Sequence, residues 1–230
     1  MKAAVITFPG SNCDDDCVYA LEEVCELSVD RIWHKHEVDL SPYSLIVLPG
    51  GFSYGDYLRC GSLAAFSPIM NLVRAASDRG QLILGICNGF QILCEANLLP
   101  GALVPNSSLR FICKDVTLKV ENNLNPWLNA FKVGDVLTLP IAHGDGRYVI
   151  GDQAQAAKAQ KILSYCDAKG ALVDGANPNG SFDFVAGMVN EKGNVFGLMP
   201  HPERAADLRS LHGRKLFESI INHLREKASA

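Results

Sequence analysis

Four short apolar runs, each closed by glycine or proline, constrain this chain more than any other feature. Residues 3–8 run into Pro9-Gly10, residues 45–48 into Pro49-Gly50-Gly51, residues 81–86 into Cys87-Asn88-Gly89, and residues 195–199 into Pro200-His201-Pro202-Glu203. Unbroken apolarity over this length suits strands covered on both faces, as in a parallel sheet. Helical spacing fills the intervals. Val18, Leu21, Val24 and Cys25 recur after the capping candidates Ser11 to Asp14, residues 68–79 open on a tolerated Pro68, and residues 88–98 follow Cys87 directly and stop at Leu99-Pro100-Gly101. A long amphipathic helix closes the chain, with Leu208, Leu211, Leu216, Phe217, Ile220, Ile221 and Leu224 on its apolar face. Strands alternating with helices predict an α/β fold, doubly wound and mostly parallel, with helices on both faces of the sheet.

The stretch 111–184 reads differently. Short strand candidates at 116–120, 136–142 and 149–150 are separated by many turn residues, which predicts extra antiparallel strands or a small flap. With no repeat and no linker-like segment, residues 1–230 read as one domain. A chain of 230 residues buries roughly 70% of its unfolded surface and needs no disulfide or metal to hold a core. Its net charge of −4, with no dense basic run, argues against a nucleic-acid partner. No apolar segment approaches the roughly 18 residues that span a bilayer. The first apolar run is too short for a secretory leader, so the eight cysteines read as reduced thiols in the cytoplasm.

In an open α/β sheet, ligands bind beyond the carboxyl ends of the strands. All four closing turns sit at such ends, so Gly50-Gly51, Cys87 and His201 should face one crevice. Gly85-Ile86-Cys87-Asn88-Gly89 has the form of a nucleophile elbow with cysteine in place of serine. A side chain two residues either side of the nucleophile would collide with its neighbours in so tight a turn, and glycine at both places removes the clash. The helix that begins at Asn88 aims its amino end at the sulfur, where its partial positive charge stabilises a thiolate. A thiol nucleophile needs a base, and the base needs a partner to orient it. His201 and Glu203 supply both: Pro200 and Pro202 bias the backbone toward extended geometry, which places residues i and i+2 on one side. The Asn88 amide and one from Gly50-Gly51 can serve as oxyanion donors. His143, in the polar turn Ala142-His143-Gly144-Asp145-Gly146-Arg147, can line the crevice. Cys13 and Cys17, four apart on the first helix, read as packing residues. His34 and His36 share one face of a strand candidate, too few ligands for zinc. No phosphate-binding loop occurs, so this chain should bind no ATP itself.

Gly85-Ile86-Cys87-Asn88-Gly89-Phe90-Gln91 together with His201-Pro202-Glu203 resembles the class I (triad) glutamine amidotransferases. Phe8-Pro9-Gly10-Ser11-Asn12-Cys13-Asp14, Pro49-Gly50-Gly51-Phe52-Ser53-Tyr54-Gly55-Asp56, the His143 to Arg147 turn, Asn177-Pro178-Asn179-Gly180-Ser181 and Met199 to Ala205 narrow the likeness to the glutaminase subunits of phosphoribosylformylglycinamidine synthases. These segments run from the first strand to the last helix.

The resemblance implies that L-glutamine is hydrolysed to glutamate and ammonia. Cys87 would carry a γ-glutamyl thioester, His201 would move the proton and Glu203 would orient His201. Gly51 and Asn88 would form the oxyanion hole, with Gly50, Phe52, Gln91 and His143 against the substrate. The ammonia would pass to a synthetase subunit that makes formylglycinamidine ribonucleotide in purine biosynthesis, with a small third subunit bridging the two. ATP and magnesium would belong to that synthetase, and this chain would hold no cofactor or metal. Asp145 stands where the family more often has glutamate, which keeps the charge and shortens the side chain. Residues 54–62, polar and glycine-bearing, are the expected contact loop for the partner. Two other classes fit parts of the pattern: a free-standing cysteine hydrolase or peptidase of similar fold, and a regulatory module without turnover.

Overall fold

The computed structural model describes residues 1–151, 159–207 and 211–229. Among these, β1 (Lys2–Thr7), β3 (Leu45–Leu48), β4 (Leu82–Ile86) and β11 (Val195–Leu198) lie side by side and parallel, with β2 (Ser28–Trp33) parallel on the outer edge of β1. Every residue of β3, β4 and β11 is buried, as their unbroken apolarity predicts for strands without a solvent face. The order β2-β1-β3-β4-β11 is that of a flavodoxin-like doubly wound sheet.

Beyond β11 the sheet becomes antiparallel through β10 (Val185–Asn190), β9 (Ala159–Tyr165), β6 (Ile112–Val120) and β7 (Val136–His143). The segment 111–184 therefore adds antiparallel strands, as expected: β6 and β7 at two of the candidate runs, and β9 where no candidate was read, with β10 as a fourth just past it. The strand candidate at 149–150 pairs elsewhere: β8 (Arg147–Val149) forms a two-stranded ribbon with β5 (Ala102–Val104). Burial along β7 alternates, so one of its faces is packed. β7 is the edge strand, where Pro140 costs no ladder bond.

The first helix departs from simple 3.6-residue spacing. Helix α1 (Asp14–Tyr19) continues as a π-turn over Ala20–Val24, closed by Cys25 N–H donating to the Ala20 carbonyl at 3.2 Å. The wider turn rotates the face, so Cys17, Ala20, Leu21 and Cys25 are buried while Val18 and Val24 are only half-buried. His34 and His36 follow β2 in a turn and share no strand face. Helices α2 (Ile69–Asp78) and α3 (Asn88–Glu95) begin as the sequence predicts. In the last helix, α4 (Leu211–Ser229), Leu216, Phe217, Ile220, Ile221 and Leu224 pack inward, whereas Leu211 faces solvent and Leu208 lies outside the described residues.

The tightest junction joins β3, β4 and α3. A Cβ built on Gly89 would stand 1.9 Å from the Leu48 carbonyl oxygen, and one on Gly85 2.7 Å from the Gly89 backbone. Close backbone approach thus locks the elbow onto the neighbouring strand. Gly89→Ala should destabilise the chain by about 2–3 kcal/mol, a drop in Tm of roughly 4–12 °C. Gly175→Ala, with nothing within 4 Å of its Cβ, should leave Tm within about 2 °C. Thermal denaturation of both variants checks this.

Candidate active site

The carboxyl ends of β1, β3, β4 and β11 deliver their following residues to one cavity of about 150 Å³, lined by Asn12, Cys13, Gly51, Phe52, Cys87, Phe111, Ala142, His201 and Arg204. A larger depression of about 410 Å³, at the opposite loops around Asn97 and Asn190, offers no cysteine or histidine on its walls.

Cys87 is held between β4 and α3 at φ 49°, ψ −102°, a left-handed conformation costly for a side chain with a Cβ. Its N–H donates to the Leu198 carbonyl at 2.8 Å, which extends the β4–β11 ladder up to the elbow. Asn88 follows at the first position of α3, where its backbone N–H has no intrahelical acceptor. The Cys87 thiol faces the Ala142 carbonyl oxygen at 3.9 Å.

His201 enters from the end of β11, and its N–H donates to the Pro140 carbonyl of β7 at 2.9 Å. The antiparallel extension therefore curls back until its edge strand touches the turn after β11. His201 Nδ1 and Glu203 Oε1 are 2.6 Å apart, both side chains buried. The pairing does not run along an extended chain as expected. Glu203 sits in a 3₁₀ turn, Pro202–Ala205, which swings its carboxylate back under the ring. Burial disfavours a charged imidazole, but the Glu203 carboxylate and then the Cys87 sulfur outweigh it and hold the His201 pKa well above its ordinary value. His201 Nε2 is buried without a hydrogen-bond partner. The thiol and the ring line the same cavity without a well-aligned hydrogen bond between them.

Cys13, read from sequence as a packing residue, belongs to this site. It stands just before α1, and its sulfur accepts from Arg204 Nη2 at 3.0 Å and donates to Asn12 Oδ1 at 3.1 Å. Gly50 leaves the room for this: a Cβ there would lie 2.8 Å from His201 Cε1 and 2.9 Å from Cys13 Sγ. Cys13, His201 and Glu203 bring ligand atoms within 4.8 Å of one another. The Arg204 guanidinium faces that sulfur, and the bond from His201 Nδ1 to Glu203 Oε1 takes up one atom of each of the other two groups. Arg204, Asn12, Phe111 and Ala142 are the other wall residues that spacing alone did not single out. They come from four separate places, the segment before α1, the residue before β6, β7 itself and the 3₁₀ turn after β11, and form no motif with Cys87.

Of the remaining expected residues, Gly51 and Phe52 line the cavity. Gly51 has φ 153°, and a Cβ on it would meet the Gly10 carbonyl oxygen at 2.6 Å. Phe52 and Phe111 face each other at 6.4 Å between ring centres, both partly exposed. Gln91 and His143 stand behind the wall. The Asn88 side chain donates to Gln91 Oε1 at 2.8 Å and accepts from the Ser53 N–H at 3.2 Å, and Gln91 Nε2 donates to the Asp145 carbonyl at 2.7 Å. The expected contact loop, 54–62, carries left-handed Tyr54, Asp56 and Leu58, exposes Tyr57 and Leu58, and is tied to α3 by the Arg59–Glu95 pair.

Residues 1–215 match the family described as the CobB/CobQ-like glutamine amidotransferase domain. The chain is 53% identical over 229 residues to the phosphoribosylformylglycinamidine synthase subunit PurQ of Salinibacter ruber, covering 97% of each. It is 50% identical over 229 residues to the subunit of the same name from Pseudothermotoga lettingae, covering 99% of this chain and 97% of the relative. Among solved structures, a chain of PurLQS from Thermotoga maritima superposes with a TM-score of 0.87 at 48% identity, covering 97% of this chain and 98% of that one. A second Thermotoga maritima protein, a glutamine amidotransferase 19% identical with a TM-score of 0.58, shares the fold.

Because Glu203 holds the His201 pKa up, the ring's pairing stabilises the fold fully below the unfolded imidazole pKa of about 6.5. That contribution is lost as pH rises through the raised folded value. Glu203→Gln keeps the shape and removes the charge. The His201 ring, followed by NMR, should then titrate roughly 1–3 units lower than in the parent chain. An unmoved titration would mean that another group sets the ring's charge.

Proposed function

The chain belongs to the CobB/CobQ-like glutamine amidotransferase family, and on that premise we propose that it is the glutaminase subunit of a phosphoribosylformylglycinamidine synthase. It hydrolyses L-glutamine and delivers the ammonia for the synthesis of formylglycinamidine ribonucleotide. Identity near 50% over almost the whole of the relatives named PurQ supports this function. The observation that carries the chemistry is the buried His201–Glu203 pair beside Cys87 in one small cavity. A cavity of about 150 Å³, edged by Phe52 and Phe111, suits a single amino acid better than an extended peptide.

The geometry supports the following steps. The Cys87 sulfur attacks the side-chain amide carbon of glutamine, and the oxygen that becomes negative meets the amides of Gly51 and Asn88. Protonated His201 gives its proton to the departing nitrogen, which leaves as ammonia and creates a γ-glutamyl thioester. His201, now neutral, takes a proton from water. The hydroxide attacks the thioester, and glutamate leaves as the thiol is restored. Glu203 holds the ring's orientation and balances its charge. Gly50 leaves space for the ring, Phe52 closes the mouth, and Gln91 and His143 support the wall.

Residues 1–230 act as one glutamine amidotransferase domain, since strands from both ends of the chain build the cavity. The partner is a synthetase subunit that binds ATP and magnesium, with a small bridging subunit, as the likeness to a chain of PurLQS suggests. Loop 54–62, exposed at Gly55 and from Tyr57 to Arg59, is the surface assigned to that synthetase. Among the described residues no helix is long and apolar enough to cross a membrane, and the reading places the chain in the cytoplasm.

Cys87→Ala should abolish glutamine-dependent synthesis by the reconstituted complex, by at least about 10³-fold, while added ammonia still supports it. Retained use of glutamine by that variant would refute the assignment. Limited proteolysis should cut loop 54–62 in the free chain and spare it in the complex.

A further inference from the structure

The segment Asn177-Pro178-Asn179-Gly180-Ser181 and the buried Asn106 remain unused by this chemistry. Both lead to the turn after β7. Asn106 and Asn179 are fully buried and His143 nearly so. Asn106 Nδ2 donates to the carbonyls of Arg110 at 2.8 Å and His143 at 2.9 Å. Its Oδ1 accepts from the Gly146 N–H at 3.0 Å and from His143 Nδ1 at 3.1 Å. Its backbone N–H donates to the Gly144 carbonyl at 2.8 Å. The side-chain amide thus uses both donors and both lone pairs, its full capacity. Asn179 grips the same turn from the other side. Its Nδ2 donates to the Gly146 carbonyl at 2.7 Å and to Tyr165 Oη at 3.3 Å, and its carbonyl accepts from the Ser107 N–H at 3.0 Å. Ser181 Oγ accepts from the Tyr148 N–H at 3.1 Å.

What these two asparagines hold is the far wall of the cavity. At one end of the turn, the Ala142 carbonyl faces the Cys87 sulfur. Further along, the Asp145 carbonyl holds Gln91. The Arg110 carbonyl held by Asn106 precedes Phe111, which lines the mouth. His143 is inside this clamp: burial and then the charge of His201 push its pKa down to about 4, so it is neutral, with Nδ1–H donating to Asn106. A Cβ on Gly146 would stand 2.2 Å from His143 Cε1, so ring and turn fit in one arrangement.

We propose that Asn106 and Asn179 are positioning residues for the substrate, clamping the turn 142–146 and the loop before Phe111 at the distance from Cys87 that a glutamine fills. This rests on the glutaminase reading. Neither asparagine touches Cys87, His201 or Glu203 in any hydrogen bond. Their loss therefore displaces the wall and spares the nucleophile.

Two alkylating probes separate these effects, with Cys87 modification followed by mass spectrometry on the full chain. One is a chloroketone analogue of glutamine, which must fit the wall, and the other is iodoacetamide, which need not. Asn106→Ala and Asn179→Ala should each slow the chloroketone roughly 10-fold or more and change the iodoacetamide rate by less than about 3-fold. Gly146→Ala, which moves the His143 ring with both asparagines in place, should do the same and gives a reading should Asn106→Ala fail to fold. An unchanged preference for the chloroketone would overturn the proposal. So would an equal fall in both rates, which marks a general disruption. A parent chain with no preference for the chloroketone would instead refute the glutaminase reading itself.

Discussion

The fit of Gly89 against the Leu48 carbonyl is the contact on which the site depends. It brings α3 down onto β3, and the chain has a single residue in which to turn from β4 into α3. Cys87 is left at φ 49°, at a cost on the order of 1–3 kcal/mol. The surrounding sheet, with β3, β4 and β11 wholly buried, holds that conformation in place. The strain is what projects the sulfur out of the ladder and into the cavity.

A buried imidazole and a buried carboxylate would each be costly alone. Together, 2.6 Å apart, they form a pair whose charge stands at the cavity that Cys87 also lines. Arg204 and Cys13 extend this array toward Asp16 at the surface, through contacts of 3.0 and 3.4 Å. The cavity is thus flanked by groups whose charges compensate one another.

The two halves of the sheet divide the work. The parallel half supplies the candidate reacting groups, because parallel strands end on the same side and each delivers its following residue there. The antiparallel half supplies the opposing wall. It curls until the Pro140 carbonyl takes the His201 N–H, and its terminal turn is pinned by buried asparagines instead of by a ladder. Polar side chains do this because a turn cannot satisfy its own amides and carbonyls in the interior.

The parallel half was legible in the sequence because its signals are local. Apolar runs without alternation, glycines two residues either side of Cys87, and a histidine with a glutamate two residues on each report a short-range steric or chemical need. Those signals fixed the core strands, the elbow and the identity of the candidate nucleophile, base and orienter. Cys13 was missed because nothing near it in the chain announces that its sulfur will pack beside His201, 188 residues later in the numbering. The π-turn at 20–24, the pairing of β8 with β5 and the fourth antiparallel strand were likewise settled by packing. Which strand curls back onto which turn depends on contacts between segments distant in sequence, where pattern carries no distance. The sequence by itself determined which residues could react. The tertiary structure decided what stands around them, because only the closed sheet brings the wall, the second thiol and the guanidinium within hydrogen-bond reach.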